Sequence, residues 1–198
     1  MGLQGLYDEI KNCQNCSLGR SRTNLVFGSG NEEAKIVFVG EAPGYYEDRQ
    51  GEPFVGAAGK LLTELLGKIG LKREDVYIAN VLKCRPPENR NPTPEEIEAC
   101  KPYLLKQIEI IKPKVVCTLG NFATQTILNK KVPISKVKAR PAQVKGFLVF
   151  PLYHPAAALH QGWMRGPLEE DFCKLKEFLD SGIEPRPEVE EPEQLDLF

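Results

Sequence analysis

The chain has 198 residues, and a hydrophobic content of 41% is enough for one compact domain and too high for a disordered protein. Its 26 basic and 27 acidic residues give a net charge of −1. Six acids and one base lie after residue 183, so the body of the chain, residues 1–183, has a net charge of about +4. A basic body is compatible with a nucleic-acid partner. No apolar run approaches the ~20 residues that span a bilayer, and the N-terminus lacks a signal-peptide layout. These features exclude a membrane protein and favour a cytoplasmic one.

Apolar patterning predicts strands and helices that alternate along the chain. Strands are expected at residues 35–39, 76–81, 115–119 and 147–152. Helices are expected at residues 2–12, 57–69, 94–111, 121–128 and 168–179. This alternation is typical of a parallel sheet covered by helices on both faces. We therefore predict an α/β fold, in which ligands bind at the carboxyl ends of the strands.

Six cysteines in an intracellular protein suggest metal ligands or reactive groups before they suggest disulfides. Cys13 and Cys16 form a CxxC pair, and Cys84 and Cys100 flank a proline-rich loop. The other two cysteines fall in a predicted strand and in the last predicted helix, where buried cysteines are common. We predict a four-cysteine site, whose spacing accepts either zinc or a [4Fe–4S] cluster.

Polar and aromatic side chains stand where the predicted strands end. Glu41 follows the first strand in the loop GEAPG, Asn80 closes the second strand, and His154 follows the fourth. Glu41 is either a solvated turn residue or a group that acts as a base or positions water. Phe54 is either a loop anchor or a stacking surface, and Asn80, if buried, needs hydrogen-bond partners.

The forty residues 129–168 contain seven bases and no acid, together with both histidines and the only tryptophan. Such a stretch is either a solvated face or, as we predict, a surface that contacts phosphates. The candidate DNA contacts are Asn89, Lys138, Arg140, His160 and Arg165.

Five motifs together resemble family four of the uracil-DNA glycosylases, the thermostable iron–sulfur branch. They are CQNC at 13–16, GEAPGYYEDRQGEPFVG at 40–56, IANVLKCRPPENRNP at 78–92, LGNFA at 119–123 and YHPAAAL at 153–159. The resemblance implies a three-layer α/β/α sandwich around a four-stranded parallel sheet, formed by residues 1–183. It also implies one [4Fe–4S] cluster on Cys13, Cys16, Cys84 and Cys100, with a structural role.

The same resemblance implies a monomeric DNA repair enzyme at the nucleoid that flips deoxyuridine out of DNA and hydrolyses its N-glycosidic bond. Phe54 would stack on the uracil and Asn80 would read its edge. His154 would donate a hydrogen bond to oxygen 2 as negative charge develops there. The implied uracil-binding set is Gly40, Ala42, Glu47, Phe54, Asn80 and His154.

One position departs from the best-known branch of the superfamily, which has an aspartate where this chain has Ala42. We therefore expect Glu41 to act as the base or to position the water, with Glu47 or Asn89 as possible partners. Two other classes of protein would also carry basic loops and a bound metal: a non-hydrolytic iron–sulfur DNA-binding module and a zinc-stapled nucleic-acid-binding module. Neither requires Phe54, Asn80 and His154 together.

The last fifteen residues are not explained by the glycosylase resemblance. Residues 184–193 hold three prolines and five glutamates, which predicts an extended linker. The linker ends in QLDLF, which is similar to the peptide with which bacterial replication and repair proteins bind the sliding clamp. Docking on the protein's own surface is the alternative. The candidate clamp-binding residues are Gln194, Leu195, Leu197 and Phe198.

Overall fold

A computed structural model describes residues 2–144 and 146–182 of the chain. The strands are β1 (Ser29–Gly30), β2 (Ile36–Gly40), β3 (Tyr77–Asn80), β4 (Val115–Leu119), β5 (Ala142–Val144) and β6 (Phe147–Leu152). The helices are α1 (Leu3–Ile10), α2 (Leu18–Ser21), α3 (Tyr45–Gln50), α4 (Ala57–Lys68), α5 (Pro94–Ile111), α6 (Asn121–Leu128), α7 (Ile134–Val137), α8 (Pro155–His160) and α9 (Arg165–Asp180). No helix within these residues is both long and apolar enough to cross a bilayer.

The described residues form one six-stranded sheet in the order β1-β3-β2-β4-β6-β5. The four inner strands are parallel and correspond to the four strands expected from the sequence, which confirms the α/β class. The expected total of four strands is wrong, because β1 and β5 pair antiparallel at the two edges. These edge strands have two and three residues, too few to show an alternating pattern.

Alternate residues of the central strand β2 face two separate hydrophobic cores. Val37 and Val39 pack in one core with Leu104 of α5, whereas Phe38 packs in the other with helices α4 and α9. The ring of Phe38 stacks on Phe172 of α9 at a centroid distance of 6.2 Å. Helices therefore cover both faces of the sheet, and the molecule has the three layers expected of an α/β/α sandwich.

Parallel register places the ends of neighbouring strands side by side. Gly40 of β2 pairs with Asn80 of β3, and Leu119 of β4 pairs with Leu152 of β6. The residues that follow these positions consequently emerge at the same edge of the sheet, where ligands bind in this class of fold.

A buried lysine joins the carboxyl end of β3 to helix α5. Lys83 is 1% exposed, and its ammonium group donates to the carbonyl of Asn80 at 2.9 Å and to Oε1 of Gln107 at 2.6 Å. The amide Nε2 of Gln107 in turn donates to the Phe27 carbonyl at 3.0 Å and to the Tyr77 hydroxyl at 3.3 Å. No carboxylate in the described part of the chain pairs with this ammonium, and burial lowers the pKa of Lys83 to about 8. Hydrogen bonds to neutral groups thus hold a buried cation in place.

We expect Lys83→Met to destabilise the protein by ~1–3 kcal/mol, because the Asn80 carbonyl and the Gln107 amide oxygen lose a buried donor. At this size the melting temperature should fall by roughly 2–4 °C per kcal/mol. Thermal unfolding measures the effect, and Lys60→Met, at an exposed lysine of α4, is the matched control. Equal melting temperatures for the two variants would show that the network contributes nothing to stability.

Candidate active site

A pocket of about 520 Å³ opens at the carboxyl edge of the sheet, within the size range of small-molecule sites. The loops after β2, β3 and β6 supply most of its wall. The residues predicted from the sequence that line it are Glu41, Ala42, Glu47, Phe54, Asn80, Asn89, His154 and His160. The structure therefore brings six of the implied catalytic and uracil-binding residues into one pocket, and two of the predicted DNA contacts, Asn89 and His160, line it with them.

Asn80 forms part of the pocket wall with an amide that is almost completely buried, at 2% exposure. Its Oδ1 atom is buried and has no hydrogen-bond partner among the described residues. The neighbouring Gly40 makes room for this amide, because a Cβ at Gly40 would overlap both Asn80 Oδ1 and the ring of Phe54. Gly40 is therefore not part of the pocket wall but leaves the space in which this amide lies, and a buried oxygen without a partner calls for a functional explanation.

Phe54 holds its ring in the pocket through a backbone conformation that L-residues rarely adopt, with φ of 55°. The guanidinium of Arg73 stabilises this turn by donating to the carbonyls of Pro53 at 2.8 Å and Phe54 at 3.1 Å. Gly59 leaves room for the turn at Phe54, since a Cβ at position 59 would overlap the Phe54 carbonyl. The ring lies against the imidazole of His154, with centroids 5.6 Å apart and planes at 28°. This fixed ring offers a flat surface to a planar ligand.

His154 presents a defined tautomer to the pocket. Its Nδ1 atom accepts a hydrogen bond from the backbone N–H of Ala156 at 3.1 Å, so the proton of the neutral ring is on Nε2. Burial lowers the pKa of His154 to about 4, against the opposing effect of the Glu47 carboxylate. The imidazole is therefore neutral at pH 7 and can donate a hydrogen bond from Nε2.

The two carboxylates of the pocket have different surroundings. Glu47 uses Oε1 to accept hydrogen bonds from the backbone N–H groups of Val55 at 2.9 Å and Gly56 at 2.8 Å, which orders the turn before α4. Glu41, at the end of β2, is partly buried, and this burial raises the pKa of its carboxyl group. Glu47 is thus engaged by the fold, whereas Glu41 has the position and surroundings of a group that interacts with water or ligand.

The predicted DNA contacts separate into two groups. Asn89 and His160 line the pocket, but Lys138, Arg140 and Arg165 are not part of its wall. The Lys138 ammonium binds the buried carboxylate of Asp171 at 2.8 and 3.0 Å. Acids outside residues 129–168 thus partly neutralise this stretch.

Arg165 likewise pairs with two acids, at 2.9 Å from Glu64 of α4 and 3.0 Å from Glu169, one turn further along α9. Arg140 is exposed. The positive surface charge near residues 129–168 is therefore lower than the composition of this stretch suggests.

The pocket also contains residues that the sequence analysis did not single out. Arg90 and Asn91 line it, in the proline-rich loop before α5. Arg90 makes two hydrogen bonds to Glu96, at 2.6 and 2.9 Å, and Glu96 caps the start of α5 together with Thr93. Both residues belong to the motif IANVLKCRPPENRNP, from which the sequence predicts roles only for Asn80, Cys84 and Asn89.

Cys13, Cys16, Cys84 and Cys100 line a second cavity, on the α5 side of the sheet. Two N–H donors point at its sulfurs: Arg22 Nη1 lies 3.2 Å from Cys84 Sγ, and the Lys83 backbone N–H donates to Cys100 Sγ at 3.3 Å. Within residues 2–144 and 146–182, no three His, Cys, Asp or Glu side chains are gathered closely enough to hold a single metal ion. The remaining cysteines are elsewhere: Cys117 is buried in β4, within the other core, and Cys173 is exposed on α9.

Comparison with known proteins agrees with this geometry. Residues 27–176 match the model of the uracil DNA glycosylase superfamily.

Three relatives that carry the name type-4 uracil-DNA glycosylase cover most of the chain. The protein of Archaeoglobus fulgidus is 54% identical over 88% of this chain and 92% of its own length. The proteins of Saccharolobus solfataricus and Thermotoga maritima are 52% and 50% identical, over 88% and 87% of this chain and 85% and 92% of their own lengths. The chain belongs to the type-4 family of uracil-DNA glycosylases.

Proposed function

We propose that this protein removes uracil from DNA by hydrolysing the N-glycosidic bond of deoxyuridine, which leaves an abasic site. The observation that carries the proposal is the buried, unpaired Oδ1 of Asn80, in a pocket whose wall also includes the Phe54 ring and a neutral His154. A planar base that offers an N–H to this oxygen would satisfy it. Because the glycosidic bond is shielded inside a duplex, the nucleotide must rotate out of the helix to enter the pocket.

The amide of Asn80 supports discrimination between uracil and cytosine. Uracil carries an N–H at position 3 and a carbonyl at position 4, which match Oδ1 as acceptor and Nδ2 as donor. Cytosine presents an acceptor and a donor at the same two places. A cytosine in this pocket would leave buried groups mispaired, at a cost of ~1–3 kcal/mol for each unsatisfied group.

His154 and Glu41 support the bond-breaking step. As the bond between sugar and base lengthens, positive charge develops on the sugar and negative charge on the departing uracil. The Nε2–H of neutral His154 would donate to oxygen 2 of the uracil, and this hydrogen bond strengthens as the charge grows. Glu41 would orient or activate the water that attacks the sugar, with Asn89 or Glu47 as its partner. Position 42 is an alanine, so it supplies no second carboxylate there.

We expect His154→Ala to lower the single-turnover rate of uracil excision by roughly 10²–10³-fold, the usual effect of removing one donor to a developing anion. Affinity for a single-uracil oligonucleotide should remain close to that of the parent protein, because the lost hydrogen bond matters mainly in the transition state. Oligonucleotides with cytosine or thymine in place of uracil are the substrate controls. Excision by His154→Ala at the parent rate would refute this role for the histidine.

We also propose that the four cysteines hold one [4Fe–4S] cluster. When four thiolates bind one zinc ion, each sulfur lies ~2.3 Å from the metal, so the four sulfurs are close to one another. In a cubane each thiolate binds a different iron, so the four thiolates spread around a larger body, which four cysteines that line one cavity can accommodate. When bound, the cluster would tie residues 13–16 to α5 and to the loop after β3. Hydrolysis needs no electron transfer, so this role is structural.

Replacing one ligand tests the cluster against a matched cysteine. We expect Cys84→Ala to lose iron and melt at a lower temperature, because metal binding and folding are coupled. Cys117→Ala, in the opposite core, should keep its full iron content. Iron and sulfide analysis and the visible absorption spectrum measure the difference. Equal iron loss in both variants, or zinc in place of iron in the parent protein, would contradict the assignment.

We propose that residues 1–183 form the glycosylase domain and act on DNA as a monomer. Asn89 and His160, at the pocket, support contact with the strand next to the uracil. Arg140 is exposed and remains a candidate for phosphate contact. Lys138 and Arg165 would have to exchange their acidic partners for a phosphate to make such a contact.

The candidate clamp-binding residues Gln194, Leu195, Leu197 and Phe198 lie outside the described residues, and their proposed role rests on the sequence. An acidic linker that ends in a clamp peptide would hold the enzyme near newly made DNA and raise its local concentration there. We propose this partner in addition to uracil-containing DNA.

Deleting residues 194–198 should abolish binding to a bacterial sliding clamp and leave excision from a short oligonucleotide unchanged. Surface-immobilised clamp gives the binding readout, and a chain with these five residues in scrambled order is the control. Binding that survives the deletion, or an intact chain that does not bind at tens of micromolar, roughly the weak end for such peptides, would exclude this partner.

A further inference from the structure

Two adjacent tyrosines stand beside the pocket with much of their surface in solvent. Tyr45 and Tyr46 open helix α3 and are 50% and 60% exposed. They follow Gly44, which lines the pocket, and precede Glu47, which also lines it. Their rings meet edge to face, with centroids 5.4 Å apart and planes at 83°. Single exposed aromatic residues are ordinary, but a pair beside a binding pocket forms a surface.

The side chain of Arg85 adds a positive charge next to this tyrosine pair. The Arg85 guanidinium lies 5.2 Å from the centroid of the Tyr45 ring. Its Nε atom donates to Oδ1 of Asn89 at 2.7 Å, and Asn89 lines the pocket with a left-handed backbone, φ 55°. Tyr46 packs beside Gly56, where a Cβ would lie 3.6 Å from its Cδ2. Both tyrosines are thus held by neighbours at the pocket, without being buried.

We propose that Tyr45, Tyr46 and Arg85 form a stacking platform for one unpaired nucleobase that neighbours the uracil on the same strand. The inference rests on the proposed entry of uracil into the adjacent pocket. Aromatic side chains beside a cation bind nucleobases of any sequence, because every base has a π-face and arginine adds a cation–π contribution. A base next to a flipped nucleotide has lost one stacking neighbour, and in single-stranded DNA it has no pairing partner. The platform would therefore favour single-stranded substrate.

The test pairs protein variants with a base deletion in the DNA. The substrate is a single-stranded oligonucleotide with one uracil, in which the base on the 5′ or the 3′ side is replaced by a tetrahydrofuran abasic residue. For the parent protein, removing the base on one side should weaken binding about 5- to 100-fold, the range that base–aromatic stacking supports. The Tyr45→Ala/Tyr46→Ala variant should bind the complete strand more weakly by a similar factor and lose its sensitivity to the missing base.

Conservative and remote variants separate stacking from general damage. Tyr45→Phe/Tyr46→Phe keeps both rings and should retain the sensitivity to the missing base. Tyr7→Ala removes another exposed tyrosine, on α1 and away from the pocket, and should bind both strands as the parent does. Additive effects of the protein and DNA changes would overturn the platform, as would equal losses in the Tyr7→Ala variant.

Excision and binding are read separately, so the two proposals can fail independently. If the parent protein releases no uracil from the complete strand, the proposed function fails. The binding cycle, measured on the same strands, still decides the platform, because stacking of the neighbouring base requires no bond cleavage.

Discussion

Parallel pairing of the inner strands is the constraint on which the pocket depends. The register sets Gly40 beside Asn80 and Leu119 beside Leu152, so that the chain leaves β2, β3 and β6 at one edge. Glu41 and His154 then follow within two residues of a strand end. Residues that are far apart in sequence meet because the ladder hydrogen bonds allow few alternative alignments once both faces are buried.

The pocket concentrates features that would be unfavourable elsewhere in the protein. Phe54 has a left-handed backbone, Asn80 has an unpaired buried oxygen, and His154 remains neutral through burial. The surrounding fold stabilises them: Arg73 holds the turn at Phe54, and Lys83 holds the backbone carbonyl of Asn80. Groups fixed in this way need little rearrangement when charge develops on a bound base, which is how preorganised sites lower a barrier.

The five residues 80–84 connect the two sites of the molecule. Asn80 faces the pocket, Cys84 lines the cysteine cavity, and Lys83 lies buried between them. The Lys83 ammonium binds the Asn80 carbonyl, while its backbone N–H binds the sulfur of Cys100. A group bound by the cysteines would therefore brace the strand end that carries the Asn80 amide.

The sequence by itself determined the four parallel strands and the main helices, because hydrophobic periodicity is a local signal. Polar residues at strand ends marked Glu41, Asn80 and His154, and the resemblance to family four grouped them into one pocket. β4, α5, α6 and β6 have the bounds that their apolar patterns predict. Only the tertiary structure decided which atoms are paired. It added the short edge strands, the burial of Lys83, and the pairs that Lys138 forms with Asp171 and Arg165 with Glu64. These outcomes depend on partners up to about a hundred positions away in the chain, as for Arg165 and Glu64. A local pattern carries no information about such pairs, since burial and charge compensation are properties of the packed molecule.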